Sequence, residues 1–325
     1  MGTIGVFMSM SANDPAVPGR QAALLAGLAN EGVTPANTVI KYGFAFDNNG
    51  NGQYQTVGDA LVKAANADSP RALFATCWPT MNTMLTSAYN TNNIPIIYGG
   101  LFHDDQNVTK SQGPNYFDPS VGGIYSHLFE TCAQWVRLLK LAVGGHLKAI
   151  GVTYDTTNTN ANPNAPDLYI NYIKAATGFS INPIKINIDQ TVNSTAAVTH
   201  LINTNLLFAG SGNTIANSGL IVPPAALTAN RRFSIIQAVN ALKLPAIYPN
   251  RMYIDNAAPN NGLISYGEVL LDQYLIAGLA LGNAYNYPAS FKSFATHNTN
   301  FETVVSRSQA GALNFTIPPG AVVVA

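Results

Sequence analysis

Leu244–Gly267 reads LPAIYPNRMYIDNAAPNNGLISYG. An apolar run, Leu244–Tyr248, stops at Pro249-Asn250-Arg251. A polar, proline-containing loop follows, and a second run, Gly262–Tyr266, stops at Gly267. Two short apolar runs bounded by Pro, Asn and Gly predict two buried strands. The arginine at the end of the first is the unusual feature. It serves either as a ligand contact at a strand's carboxyl end or as the partner of a carboxylate such as Asp255.

The pattern repeats on both sides of this stretch. TIGVFMS, NTVIKYGFAF, RALFATCW and IPIIYGGL read as strands, separated by the helical segments GRQAALLAGLANEG, YQTVGDALVKAANA and TMNTMLTSAYNT. A long helix through Trp135 and Leu139 then leads into a second series. Its strands are LKAIGVTYD, INPIKINI, SGLIVPP and LPAIYP, with the helices PDLYINYIKAATG, TAAVTHLINT and RRFSIIQAVNAL between them. Strands that are apolar throughout and alternate with helices predict parallel sheets covered on both faces. The expected fold is therefore α/β, with two Rossmann-like lobes. The segments GLISYG, EVLLDQYLIAGLALGNAY and NFETVVSRSQAGALNFTIPP follow both series.

Composition narrows the function. The 325 residues are 47% apolar and only 10% charged, with formal net charge zero, against about 25% charged in ordinary domains. Asn, Thr, Ser and Gln supply the polar surface instead. Such a surface lacks the basic face that nucleic acid requires and the polybasic segment that an anionic membrane attracts. No run is long and apolar enough for a membrane span. MGTIGVFMSM enters a strand directly, without a basic n-region or cleavage site. Cys77 and Cys132 read either as two isolated thiols or as a disulfide, because pairing depends on geometry.

Ligands of open parallel sheets bind at the carboxyl ends of the strands, and those ends carry the candidate site. Ser9, Ser11 and Asn13 follow the first strand. Thr76, Trp78 and Thr80 follow the third, where helix-start amides and a hydroxyl suit an anion; Thr80 alternatively only caps its helix. Tyr98, Gly99 and Gly100 end the fourth, the glycines allowing close approach. Tyr154 and Asp155 end the first strand of the second series, where Asp155 takes a ligand amine or caps its own loop. Asn250, Arg251 and Ser265 come from the opening stretch, Arg251 with a planar fork suited to a carboxylate. His103-Asp104-Asp105 reads as a solvated loop. No nucleophile motif, complete glycine-rich phosphate loop or metal-ligand spacing is present, so no enzyme activity and no cofactor are expected.

In order along nearly the whole chain, IGVFMSMSANDPAVPGRQAALLAGLANEG, IPIIYGGLF, KAIGVTYD, GLIVPP and LPAIYPNRMYIDNAAPNNGLISYGEVLLDQYLIAGLALG resemble the substrate-binding proteins of ATP-binding-cassette (ABC) importers, in the branch that includes tryptophan- and tyrosine-uptake components. The resemblance implies a type I periplasmic-binding fold with three crossovers. Lobe one would span about 1–118 and 266–298, and lobe two about 119–265 and 299–325. It also implies a small-molecule ligand held in a cleft between lobes that close by hinge motion, with Ser265 and Tyr266 at a crossover. A membrane permease is the implied partner. A monomer is expected, outside the cytoplasm in the periplasm or its equivalent, with its leader already removed. Where amino-acid binders of this family place an acidic or amide residue, this chain has Pro224, so the resemblance implies a carboxylate or aromatic acid as readily as an amino acid. A sensor or regulator ectodomain on the same fold is the alternative, and an enzyme on a doubly wound fold a third.

Overall fold

A computed structural model describes residues 1–103, 120–155, 165–208, 210–255, 261–292, 294–297 and 299–325. The chain divides into two compact units. Lobe one comprises Met1–Ser126 and Leu270–Thr299, and lobe two comprises His127–Val269 and Asn300–Ala325. The chain therefore passes between them at 126/127, 269/270 and 299/300.

Lobe one begins with β1 (Gly2–Ser11), α1 (Val17–Asn30), β2 (Thr38–Phe46), α2 (Tyr54–Asn66), β3 (Arg71–Ala75), α3 (Trp78–Leu85), β4 (Ile96–His103) and β5 (Val121–His127). In lobe two follow α4 (Leu128–Ala142), β6 (Ala149–Asp155), α5 (Ala165–Ala176), β7 (Ile184–Ile188), α6 (Thr195–Asn205), β8 (Ser218–Ile221), α7 (Ala226–Asn230), α8 (Arg232–Leu242), β9 (Ala246–Tyr248) and β10 (Ile264–Glu268). The chain returns to lobe one for α9 (Leu270–Asn286) and β11 (Phe294–His297). It ends in lobe two with β12 (Phe301–Ser306), α10 (Arg307–Ala312) and β13 (Val322–Val324).

Sheet one has the order β11-β5-β4-β3-β1-β2, and sheet two the order β13-β12-β10-β9-β8-β6-β7. The expected parallel pairing holds for β1 with β2 and β3, for β6 with β7 and β8, and for β9 with β10. Among the described pairs one differs: β10 and β12 are antiparallel. The reason is topological. The chain leaves lobe two just after β10 and re-enters just before β12, where Val269 N–H donates to the Asn300 carbonyl at 3.0 Å. The returning strand must therefore run back along the departing one. Two strands of sheet one, β5 and β11, lie outside the strands read from the sequence. VGGIYSH carries two glycines and FATH is four residues long, so neither has the long apolar run that marks the other strands.

The core of lobe one puts Ile4, Val6 and Met8 of β1 against Leu24 and Leu28 of α1 and Tyr274, Ala277 and Leu281 of α9. The two helices meet backbone to backbone. A Cβ on Gly27 would lie 2.2 Å from the Leu275 carbonyl oxygen, and one on Gly278 would lie 2.3 Å from that of Leu24. Glycine is required there by proximity. At the end of α1 it is required by conformation: Gly32 has φ +74°, with Val33 N–H reaching back to the Leu28 carbonyl at 3.0 Å, a left-handed helix stop that glycine favours. At one edge of sheet two, β13 pairs only with β12 and exposes Val322 and Val323.

Candidate functional site

At the carboxyl edge of sheet one, the turn from β3 into α3 docks onto β1. Thr76 N–H donates to the Phe7 carbonyl at 3.2 Å, and Ser9 N–H donates to Thr76 Oγ1 at 2.7 Å. Ser9 and Thr76 are both buried. Ser11 is half-buried, while Asn13 is exposed and donates from Nδ2 to Asn48 Oδ1 at 3.0 Å, tying the loops after β1 and β2 together. Trp78 is the first residue of α3.

Thr80 engages its hydroxyl within its own turn. It is fully buried, accepts the Cys77 N–H at 3.1 Å and donates to the Cys77 carbonyl at 2.8 Å. The capping alternative is therefore the one the structure adopts. Tyr98 of β4 is buried, and a Cβ on neighbouring Gly99 would make only ordinary contacts with Phe74 and Gln273. Gly100 follows in the same strand.

Two residues that sequence reasoning passed over join this edge. Arg20 of α1 is buried. It donates from Nη1 to the Tyr274 hydroxyl at 3.3 Å and lies 5.4 Å from the centre of that ring. Burial pushes the Tyr274 hydroxyl pKa up, and the neighbouring Arg20 guanidinium and Thr76 hydroxyl oppose that shift. Ser9, Thr76, Tyr274 and Arg20 thus form one buried polar chain drawn from β1, the β3–α3 turn, α9 and α1. In sequence, Arg20 looks like an ordinary residue in the first turns of an amphipathic helix. Only the packing of α9 on α1 reveals it.

At the carboxyl edge of sheet two, Asp155 closes β6 and is buried. Tyr154 is committed elsewhere. The Lys185 ammonium sits 4.3 Å from its ring centre and 2.6 Å from Asp167, whose carboxylate also lies 3.4 Å from the Tyr154 hydroxyl. The Asp167 hydrogen bond raises the Lys185 pKa. Pro224 is half-buried in the turn after β8. There Thr228 donates to the Ala225 and Pro223 carbonyls at 3.0 and 3.3 Å. Asn250 accepts Met252 N–H at 3.2 Å, capping the single 3-10 turn Arg251–Tyr253.

Arg251 is bound by protein carboxylates. Its Nε donates to Asp255, and its Nη1 donates to Glu302 Oε2 at 3.2 Å. Of the two alternatives for Arg251, the structure shows the carboxylate partners, which engage Nε and Nη1 from within lobe two. Ser265 is also a residue of lobe two. It is buried inside β10, paired with Tyr248 and Val304, and the crossover lies four residues further on.

That crossover is preceded by a residue that sequence reasoning missed, Glu268, a buried carboxylate at the end of β10. Tyr169 is close enough that Glu268 and Cys132 both add to the upward shift which burial imposes on its hydroxyl. Trp135 stacks on Tyr169 at 6.2 Å and donates its indole N–H to the Tyr266 carbonyl at 2.7 Å. Neither Cys77 nor Cys132 forms a disulfide.

Near these ends lobe one carries the buried Ser9, Thr76 and Arg20, and lobe two carries the buried carboxylates Asp155 and Glu268. Among the described residues no cluster suits a metal ion, and no helix is long and apolar enough to cross a membrane.

Two α/β lobes with largely parallel sheets and three crossovers define the periplasmic-binding-protein fold of type I. Solved structures of similar architecture bear this out. The ABC domain from Streptococcus pneumoniae in complex with L-Trp matches over 99% of this chain and 100% of that one, at TM-score 0.71 and 18% identity. An ABC transporter solute-binding protein from Agrobacterium vitis, bound to α-D-tagatopyranose, covers 98% of this chain and 100% of its own at TM-score 0.61 and 12% identity. The transcriptional regulator CelR in complex with cellobiose covers 93% of this chain and 83% of its own at TM-score 0.58 and 11% identity. These neighbours are binding proteins and regulators. No protein-family model and no curated protein sequence matches this chain.

Proposed function

We propose that this protein is the extracytoplasmic solute-binding component of an ABC importer. Its ligand is a small carboxylate or amino acid with aromatic character, and its partner is a membrane permease. The observation that carries the reading is the end-to-end likeness to ABC solute-binding structures, one of them in complex with L-Trp. The candidate contacts are Ser9, Ser11, Thr76, Trp78 and Tyr98 with the Gly99-Gly100 pair in lobe one, and Asp155 in lobe two. The likeness to a sugar-bound regulator favours a second reading, a sensor module on the same fold.

The test is a thermal-shift screen of the full chain, unfolded and refolded to strip copurifying ligand, against amino acids, aromatic carboxylates, purines and sugars. A solute that binds only the folded state adds about 2.7 kcal/mol at a hundredfold excess over its Kd. An upward shift with an aromatic carboxylate or amino acid supports the importer reading. A shift confined to sugars moves the protein toward the sensor reading. No shift with any class in the refolded chain sinks solute binding by these groups.

A further inference from the structure

We infer that Arg251 is a positioning residue, which holds the lobe-two ends of two neighbouring crossovers in register. Three separate contacts meet at this place. The guanidinium joins Asp255, just past β9, to Glu302, the second residue of β12. Phe301, beside Glu302, stacks on Tyr266 of β10 with ring centres 5.7 Å apart and planes within 15°. Val269 N–H, the last residue before the chain leaves the lobe, donates to the carbonyl of Asn300, the first residue after it returns.

The register of β10 and β12 brings these together, because Gly267 pairs with Glu302 and Glu268 with Phe301. Gly267 leaves room for nothing more: a Cβ there would sit 1.8 Å from the Pro249 carbonyl oxygen. The turn carrying Arg251 is therefore pressed directly onto the departing strand. The pair between Arg251 and Glu302 reaches across to the returning strand. Removing the guanidinium leaves Asp255 and Glu302 as like charges at the same edge, and the Phe301–Asn300 end of β12 loses its tie to the β9 turn. The Asp255 hydrogen bond raises the Arg251 pKa, so alkaline pH does not break the tie. Salt is what weakens it, because the Arg251 side chain is 44% exposed and the Debye length falls to about 3 Å at 1 M.

This assignment does not depend on which solute is bound, and it is tested without one. Hydrogen exchange is followed by NMR in the unmodified chain, Arg251→Met, Arg251→Lys and the near-isosteric Glu302→Gln. An exposed charge pair of ordinary strength predicts roughly fivefold faster local exchange at Val269 N–H and at the Trp135 indole N–H in Arg251→Met and Glu302→Gln. Arg251→Lys, which retains a charge but not the fork, lies between them and the unmodified chain. Amides at the centre of sheet two, such as Val152 and Leu220, stay unchanged. Salt at 1 M moves the unmodified chain toward the variants. Unchanged exchange at Val269 and Trp135 in both charge-removing variants overturns the assignment. So does acceleration spread evenly over lobe two, which would make the pair a general support of that lobe.

Discussion

Replacing Gly278 by alanine sets two well-known effects against each other. Alanine in a helix interior is favoured over glycine by about 1 kcal/mol, so helix propensity alone makes the substitution stabilising. The structure reverses the sign. The new Cβ would lie 2.3 Å from the Leu24 carbonyl oxygen, 2.9 Å from Gly27 Cα and 3.0 Å from Leu28 N. All three are backbone atoms of α1, so no side chain can rotate away; the helices must separate. Because no side chain can yield, the cost falls in the upper part of the roughly 1–3 kcal/mol range of overpacking, which leaves a net loss of about 1–2 kcal/mol after the propensity gain. For a lobe of this size that corresponds to a fall in Tm of about 2–8 °C. Differential scanning calorimetry and urea titration measure it directly. Gly27→Ala, whose Cβ would lie 2.8 Å from Gly278 Cα, should behave alike, and the double variant should cost less than the sum, since one separation of the helices relieves both clashes. An unchanged or raised Tm in Gly278→Ala would refute the backbone contact between α1 and α9 and, with it, the placement of Arg20 against Tyr274.

Thr153 Oγ1 and Ser265 Oγ are buried without a hydrogen-bond partner among the described residues. Thr153→Val and Ser265→Ala are therefore expected to be neutral or to stabilise by about 1 kcal/mol; a loss of 1 kcal/mol or more in urea titrations would show that the hydroxyls are bonded. The two thiols should separate by reactivity. Cys132 is fully buried, and burial pushes its thiol pKa well up, whereas Cys77 is partly exposed. A thiol reagent should label Cys77 alone in the native protein and both residues after denaturation. Rapid native labelling of Cys132 would contradict the packing around Trp135.

Much of the architecture was legible because buried parallel strands announce themselves as apolar runs between helices. TIGVFMS and KAIGVTYD need no partner to be recognised. β5 and β11 were not legible, because VGGIYSH and FATH become strands only through their neighbours in sheet one. The antiparallel β10–β12 pair was hidden for a different reason: its direction follows from where the chain leaves and re-enters lobe two. The candidate site was less legible than the fold. A threonine three residues into a helix start looks the same whether it binds an anion or caps the helix, and for Thr80 the bond to Cys77 decides. Arg251 and Asp255, four residues apart, were a visible pair, but Glu302 is brought to them by β12. Arg20 and Glu268 escaped notice because one lies in an ordinary helical pattern and the other at a strand end that seemed to stop at Gly267.

The valine edge of sheet two bears on how the protein behaves in concentrated solution. β13 offers three consecutive valines, two of them exposed at 40% and 37%, as the last strand of a seven-stranded sheet. No lysine, proline or bulge in that strand blunts the open edge. The formal net charge of zero at pH 7 provides no long-range repulsion between molecules to keep such edges apart. Colloidal stability therefore rests on the hydration of the Asn-, Thr- and Ser-rich surface. Near neutral pH, edge-to-edge strand addition at Val322–Val324 is therefore an expected route to precipitation.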